Sequence, residues 1–236
     1  MLEAVMGNYG KIIALGLFFF TTGAAGAQGP SQEELERWFE SDELLPPSES
    51  AVNVNEGNLV FLQQPPGKPV HHHHNKLVID KQSLATGWVR LYQCHDNMDK
   101  FSRVQVMFKK GRVRDLVITR ADNISESWIE DNSVQLRDVK EGAKLCISGW
   151  TRALESGENG SFTMHNGPFM RKFLDGYYPM RVSMDIDYSD TGLQLVSLSP
   201  QQQVGFDVSQ RDKGISFDAW FEGRLNTELM FRNKIH

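Results

Sequence analysis

The sequence predicts an all-β fold, an antiparallel β-sandwich or a barrel-like variant of it, with a short N-terminal helix and one helical crossover. About a dozen short runs of β-favouring residues are separated by turn residues at intervals of roughly 8 to 12 positions, as in sandwiches and barrels. Many of these runs alternate apolar and polar residues, which is typical of sheets with one solvated face. Long helical periods are absent between them, and this argues against an α/β fold.

The N-terminal residues 1–27 have the pattern of a secretory signal peptide. Lys11 precedes an apolar run at 12–20, and the small residues from Ala25 to Ala27 match a cleavage site, so cleavage is expected after Ala27. The apolar run holds about nine residues, whereas a bilayer-spanning helix needs roughly 20. Since no second long apolar stretch follows, we predict a periplasmic or secreted protein without a transmembrane segment after signal cleavage.

Residues 28–50 are predicted to form a helical arm and a linker. Ser31 and Glu34 have the spacing of a capping box, Trp38 lies on the apolar face that follows, and Pro46 ends the helix. Such a helix either covers one end of its own β domain or docks on a protein partner.

Residues 51–236 are predicted to form the β-sandwich domain, with a possible seam at 155–160, where the sequence has a clear turn. The chain has a formal net charge of −5 and a pI of about 5.8. Since domains that bind nucleic acid are usually basic, we expect no nucleic-acid partner.

The chain has two cysteines, Cys94 and Cys146, and both lie in strand-like runs. In an oxidising compartment an even pair most simply forms a disulfide. The alternative is a metal site that uses both thiolates and His95, but the paired C-x-x-C spacing of zinc sites is missing. The sequence therefore favours a disulfide between Cys94 and Cys146.

Four consecutive histidines at 71–74 open a predicted strand that continues through 77–79. Since side chains alternate along a strand, the first and third histidines share one face. Neutral imidazole binds copper and zinc, and short His-rich tracts often hold metal, so this face is a candidate copper or zinc site. The alternative is a polar, half-exposed strand start whose histidines hydrogen-bond to their neighbours. The candidate metal ligands are His71, His73, His95 and His165, with Met98 as a replacement for His165.

Three further segments have clear strand patterns. Residues 103–108 and 112–119 flank a Lys-Lys-Gly turn and predict a β-hairpin. Residues 182–188 alternate strictly, with apolar side chains at every second position, and so do residues 225–231. Each of the last two segments is predicted to turn one apolar face to the core.

Residues 166–180 interrupt the β pattern and predict the helical crossover. Phe169 and Phe173 have helical spacing, an Asn-Gly-Pro segment begins the helix, and Gly176 ends it. Loops on rigid β scaffolds often carry function, and this one is rich in aromatic and basic residues. We therefore expect it to bind a protein partner or an anionic envelope polymer. The candidate partner-binding residues are Arg171, Lys172, Tyr177 and Tyr178.

The predicted hairpin at 103–119 is a second candidate for polymer binding. Basic residues recur along it, although alternating charges usually mark only the solvated face of a sheet. The residues concerned are Arg103, Lys109, Lys110, Arg112, Arg114 and Arg120.

Catalytic motifs are missing from the sequence. It has no G-x-S-x-G, no H-E-x-x-H, no Gly-rich phosphate loop and no C-x-x-C-H. Cys94, His95 and Asp96 are a nucleophile, a base and an acid, but adjacent residues in a strand point apart. No cofactor is expected apart from the alternative of copper or zinc. The sequence thus favours a binding or assembly module over an enzyme.

Three stretches of the chain resemble uncharacterised exported proteins of Gram-negative bacteria. The first is the segment 69–75 with its four histidines. The second contains the motifs Gly87-Trp88-Val89 and Gln93-Cys94-His95, and the third contains the segments 167–170 and 173–179. The resemblance covers most of the chain after residue 27. It implies a setting in the bacterial envelope and carries no activity.

Overall fold

The computed structural model describes residues 55–173 and 176–233, and the predicted signal peptide and helical arm lie outside them. The described residues form fifteen strands, one α-helix, α1 (Lys81–Thr86), and a short 3-10 turn (Glu158–Gly160). The strands are, in chain order, β1 (Val60–Phe61), β2 (His72–Val78), β3 (Trp88–Met98), β4 (Phe101–Met107), β5 (Val113–Glu130), β6 (Ser133–Arg152), β7 (Leu154–Ser156), β8 (Ser161–Phe169), β9 (Arg171–Phe173), β10 (Gly176–Tyr178), β11 (Met180–Asp187), β12 (Leu193–Ser199), β13 (Phe206–Arg211), β14 (Gly214–Glu222) and β15 (Leu225–Asn233).

A large, open sheet holds nine of these strands. Its order is β1-β14-β11-β2-β3-β6-β4, with β13 also paired to β14 and β5 paired to β6. The pairs in it are antiparallel except for β2 and β11, which run parallel. This one parallel pair makes the sheet mixed rather than purely antiparallel.

A second sheet of four strands, β12-β15-β8-β7, contributes to the same hydrophobic core as the large sheet. Side chains from both sheets meet there, for example Val182 and Phe217 from the large sheet with Leu229 and Phe231 from the small one. Each fully buried side chain of this kind contributes about 1.5 to 3 kcal/mol. The predicted mostly-β sandwich is therefore confirmed.

The alternating patterns produce this core directly. In β11 the buried positions are every second residue from Val182 to Ile186, and in β15 they run from Leu225 to Phe231. Because side chains alternate across a sheet, one strand can face the core and solvent at once. The two predicted core faces are confirmed.

The predicted hairpin at 103–119 is wrong. Residues 109–111 do turn, but β4 and β5 do not pair with each other, since both pair with β6 and lie on opposite sides of it. The 20-residue β6 offers two edges, and β3 and β4 follow each other along one of them. Strand propensity locates such segments but does not select their partners.

The predicted helical crossover at 166–180 is also wrong. This segment contains the end of β8 and the two short strands β9 and β10, which pair antiparallel with Lys172 opposite Tyr177. Phe173 meets Tyr178 edge to face, with ring centres 5.3 Å apart. Aromatic residues favour strands, and their cross-strand contacts outweigh the helical spacing of two phenylalanines.

Helix α1 connects β2 to β3, which pair antiparallel. Asp80 caps it in a capping box with Ser83, and Gly87 ends it in the left-handed conformation with φ of 76°. A Cβ atom at position 87 would lie 2.6 Å from the carbonyl oxygen of Leu154, so a glycine is required there. Within the residues that the structure describes, no helix has the length and apolar character needed to cross a bilayer.

Candidate functional site

The antiparallel pairing of β2 and β3 brings three histidines together. His73 lies opposite His95, and the side chains of His71, His73 and His95 are all buried on the inner face of the large sheet. His72 and His74 lie on the opposite face, where His74 is exposed. The period-2 pattern of the histidine run thus separates two buried imidazoles from two outer ones.

The three buried imidazoles, here called the histidine cluster (His71, His73 and His95), contact one another. The Nε2 atom of His71 lies 3.0 Å from Nδ1 of His95, and the rings of His73 and His95 have centres 4.5 Å apart. The ring of Phe169 from the small sheet meets His73 edge-on at 5.1 Å. The cluster therefore occupies space between the sheets that apolar side chains fill elsewhere in the sandwich.

Burial keeps these imidazoles neutral. It lowers the pKa of His71 to about 4 and the pKa of His73 to about 3, and it holds the pKa of His95 well below the ordinary value of 6.5. The cause is the free energy needed to remove a charged ring from water. Near His71 the charges of Asp99 and Arg171 have opposite effects, and these two side chains are paired with each other. The cluster is therefore uncharged at neutral pH.

The candidate metal ligands are only partly brought together. His71, His73 and His95 are neighbours, but His165 is exposed and its Nδ1 lies 3.4 Å from a carboxylate oxygen of Glu228. Met98 is buried in a separate apolar cluster. Among residues 55–173 and 176–233, no group of three or more His, Cys, Asp or Glu side chains is arranged to hold a metal ion. The nitrogens of His95 instead face His71 and Gln93.

A cleft of about 280 Å³ opens beside the histidine cluster, between the large sheet and the end of β8. Three polar side chains on the inner face of β2 and β3 form its floor, and they are His73, Asn75 and Gln93, exposed by 5, 6 and 5%. Leu77, Leu91 and Phe169 add apolar walls. A mostly apolar concavity with a few converging polar groups is the usual form of a small-molecule site.

The floor has hydrogen-bonding capacity to spare. The Oδ1 atom of Asn75 faces Nε2 of His73 at 3.0 Å, and the Nε2 atom of Gln93 lies 2.7 Å from Nε2 of His95. Within the described part of the chain, the amide nitrogen of Asn75 and the amide oxygen of Gln93 have no hydrogen-bond partner. Buried polar atoms are nearly always satisfied, so these two groups suit a polar ligand or water. Sequence analysis missed both residues, although each lies two positions from a predicted ligand, on the same face.

The rim of the cleft carries more positive than negative charge. Lys109, Arg112 and Arg152 line it together with the single carboxylate of Glu155. Arg112 is held in place, since it pairs with Glu155 at 3.0 Å and donates to the carbonyl oxygen of Arg152 at 2.6 Å. The cleft thus has a neutral polar floor and a rim that attracts anions.

The four candidate partner-binding residues have different surroundings. Arg171 makes two hydrogen bonds to the carboxylate of Asp99, at 3.0 and 2.6 Å, and Tyr177 is buried with its hydroxyl accepting from Arg224. Both therefore stabilise the β9–β10 hairpin. Lys172 is exposed beside the Tyr177 ring. Tyr178 contacts Phe173 and lies near the Arg171 guanidinium.

The predicted disulfide is present. Cys94 of β3 lies directly opposite Cys146 of β6, with Cα atoms 4.1 Å apart, and the described residues contain no free cysteine. The bond lies on the outer face of the large sheet, since its neighbours Gln93 and His95 face the core. It ties together two strands that also share backbone hydrogen bonds.

No protein-family model matches the chain, and no curated protein matches it. Several solved structures are similar to part of it, and two of them are M1 zinc metallopeptidases. One is a mutant M1 zinc metallopeptidase from Deinococcus radiodurans, 11% identical over 76% of this chain and 43% of that chain, with a TM-score of 0.37. The other is a two-domain M1 zinc metallopeptidase bound to L-tryptophan, 12% identical over 76% of this chain and 44% of that chain, with a TM-score of 0.34. This chain spans less than half of either, and likeness at these TM-scores carries no argument about fold or function.

Proposed function

We propose that this protein is an exported, non-enzymatic binding module of the bacterial envelope, and that its cleft binds a small polar molecule with an anionic group. The observation that carries the proposal is the pair of buried amide groups of Asn75 and Gln93, which line the cleft without partners among the described residues. Leaving such groups unpaired costs about 1 to 3 kcal/mol each, which a ligand that pairs with them regains.

The size and charge of the cleft define the ligand class. A volume of about 280 Å³ lies just below the usual range for small-molecule sites, about 300 to 1,000 Å³, so the ligand has few heavy atoms. An amide N–H donor and an amide oxygen acceptor on the floor suit a hydroxyl, amine or amide group. Lys109 on the rim, which has no ion pair among the described residues, then suits a carboxylate, so hydroxy acids, amino acids and sugar acids are the favoured chemistry.

Export is proposed from two observations. Residues 1–27 have the signal-peptide pattern, and the Cys94–Cys146 disulfide fits an oxidising compartment. A binding role is favoured over catalysis because His73, the imidazole on the floor of the cleft, hydrogen-bonds Asn75 rather than a nucleophile.

Thermal unfolding and calorimetric titration with a defined panel test the proposal. The panel is lactate, malate, glutamate, glucuronate and, as neutral comparisons, glycerol and glucose. We expect at least one acid to bind and to raise the melting temperature, since ligand at 100 times its dissociation constant adds about 2.7 kcal/mol to stability. Binding only of neutral compounds, or of none at millimolar concentration, contradicts the proposal.

Matched variants locate the site. Gln93→Met removes the floor amide without changing the length of the side chain, and Gln135→Met makes the same change on β6 outside the cleft. We expect the first to weaken binding at least tenfold and the second to leave it unchanged. Lys109→Gln changes an exposed rim residue and tests the anionic group even if the floor variant folds poorly.

Metal binding by the histidine cluster is the second candidate. It is favoured by the contact of three neutral imidazoles, because the neutral ring is the form that binds copper and zinc. An ion would have to replace the hydrogen bond between His71 and His95. Elemental mass spectrometry on native protein and two double variants tests it. The site is supported if the native protein holds stoichiometric metal that is lost in His71→Asn/His73→Asn and kept in His72→Asn/His74→Asn. It is contradicted if the native protein holds no metal, or if both double variants lose the same amount.

A further inference from the structure

Stacked tryptophan and arginine side chains cover part of the outer face of the large sheet. The set, here called the Arg–Trp ladder, consists of Trp88 and Arg90 on β3, Trp150 on β6 and Arg114 on β5. The Cζ atom of Arg114 lies 4.5 Å from the ring centre of Trp88, and that of Arg90 lies 4.3 Å from the ring centre of Trp150. In the register, Arg90 and Arg114 flank Trp150 on its two sides, so the ladder crosses three strands.

Stacking on indole rings orients both guanidinium groups. Each Cζ atom lies over an indole ring, and neither guanidinium group has a hydrogen bond to another described residue, so both can form paired hydrogen bonds with carboxylate or sulfate. Arg90 and Arg114 are exposed, and their Cζ atoms lie 4.3 and 5.7 Å from the ring centre of Trp150, so the two guanidinium groups are at most about 10 Å apart. Two pre-oriented cations at a set separation bind anions with less loss of side-chain entropy than free arginines do.

The charge of the ladder is not balanced by nearby acids. Arg90 makes no ion pair among the described residues, and the one carboxylate near Arg114 is the exposed Asp115, at 3.9 Å. Six other arginines of the sandwich have carboxylate partners at 3.0 Å or less, whereas Arg103, Arg152, Arg224 and Arg232 have none among the described residues. The six pairs are Arg112 with Glu155, Arg120 with Asp122, Arg137 with Glu126, Arg171 with Asp99, Arg181 with Asp218 and Arg211 with Asp185. In a chain of net charge −5, the ladder is a local cationic surface.

Tyr92 extends the same surface with an uncovered aromatic ring. It lies two residues after Arg90 on β3, on the same outer face, and is 46% exposed. A planar ring beside two cations suits the apolar face of a sugar ring next to acidic groups. The two indoles are already stacked on guanidinium groups, which leaves few free aromatic faces for the base stacking on which single-stranded nucleic-acid sites depend.

We propose that the Arg–Trp ladder and Tyr92 form a binding site for an acidic polysaccharide, separate from the cleft. The two guanidinium groups bind carboxylate or sulfate groups on one extended chain, and the Tyr92 ring stacks against a sugar residue. The planar geometry of arginine is part of the site, so lysine does not replace it fully.

Binding to polygalacturonate and to heparin, measured by biolayer interferometry at 50 and 200 mM salt, tests this inference. Dextran is the neutral polymer control and a single-stranded DNA is the competing polyanion. We expect the Arg90→Gln/Arg114→Gln variant to lose most of the affinity for the acidic glycans. Raising the salt concentration from 50 to 200 mM should also weaken its binding by a factor roughly tenfold smaller than for the native protein, because two ionic contacts are gone. Lys213→Gln/Arg232→Gln removes the same charge from other exposed positions and should leave binding unchanged.

Two further variants separate a built site from general charge attraction. Arg90→Lys/Arg114→Lys keeps the charge and should still bind several-fold more weakly, and Tyr92→Ala should weaken glycan binding without changing the salt dependence. The inference is overturned if neither acidic glycan binds at 50 mM salt, if the control pair loses as much affinity as the ladder pair, or if DNA binds as tightly as both glycans and Tyr92→Ala has no effect.

Discussion

Acidification should destabilise this protein through the histidine cluster, well above the pH at which carboxylates titrate. In the folded chain burial holds the pKa of His71 at about 4 and that of His73 at about 3, whereas the unfolded chain protonates both near 6.5. Between pH 6.5 and about 4 the unfolded state therefore binds more protons, so the free energy of unfolding falls as the pH falls.

The magnitude follows from the two shifts. Each proton that only the unfolded state takes up lowers the free energy of unfolding by about 1.4 kcal/mol per pH unit below about 6.5. At pH 5 each of these histidines therefore lowers it by about 2 kcal/mol, and the pair by about 4 kcal/mol. His95, whose pKa is lowered in the same direction, adds to this loss. Single domains are stable by only about 5 to 15 kcal/mol, so the effect is a large part of the total.

Urea unfolding between pH 7.5 and 5, with a chelator present, measures this loss. We expect the free energy of unfolding to decline from about pH 6.5 downward, with a slope against pH that corresponds to the uptake of at least two protons on unfolding. His73→Asn should remove about one proton from the slope, while His74→Asn, which changes an exposed histidine on the other face, should leave it unaltered. Stability that stays flat to pH 5, or equal effects of the two variants, would refute the reasoning.

Three other predictions concern stability. Reducing the disulfide should lower the free energy of unfolding by about 4 kcal/mol on the chain-entropy model, because it closes a 52-residue separation, and urea unfolding with and without a reductant measures the loss. Leu229→Ala should cost about 2 to 5 kcal/mol because its side chain is fully buried, whereas Met230→Ala at the next, exposed position should cost under about 0.5 kcal/mol. Asp99→Asn should destabilise the chain by about 1 to 3 kcal/mol, because it leaves the half-buried Arg171 without its carboxylate, and a melting temperature equal to the native one would contradict this.

Short-range patterns predicted those features that depend on one strand at a time. Alternation identified the core faces of β11 and β15 and showed that His71 and His73 share a side, because side-chain direction in a strand repeats every two residues. The disulfide followed from the cysteine count and the signal-peptide pattern. His95 was correctly placed beside the histidine run, since neighbouring strands in the chain tend to pair.

The tertiary structure alone decided how the strands pair, and with that the site. β4 and β5 look like the two arms of a hairpin, yet each pairs with the long β6, and the aromatic segment at 166–180 forms strands instead of a helix. The cleft requires β8 to lie over Asn75 and Gln93, and the Arg–Trp ladder requires β3, β6 and β5 to lie side by side. The composition of a strand determines which faces are apolar, but its partners are chosen by contacts between residues far apart in the chain, which local patterns do not encode.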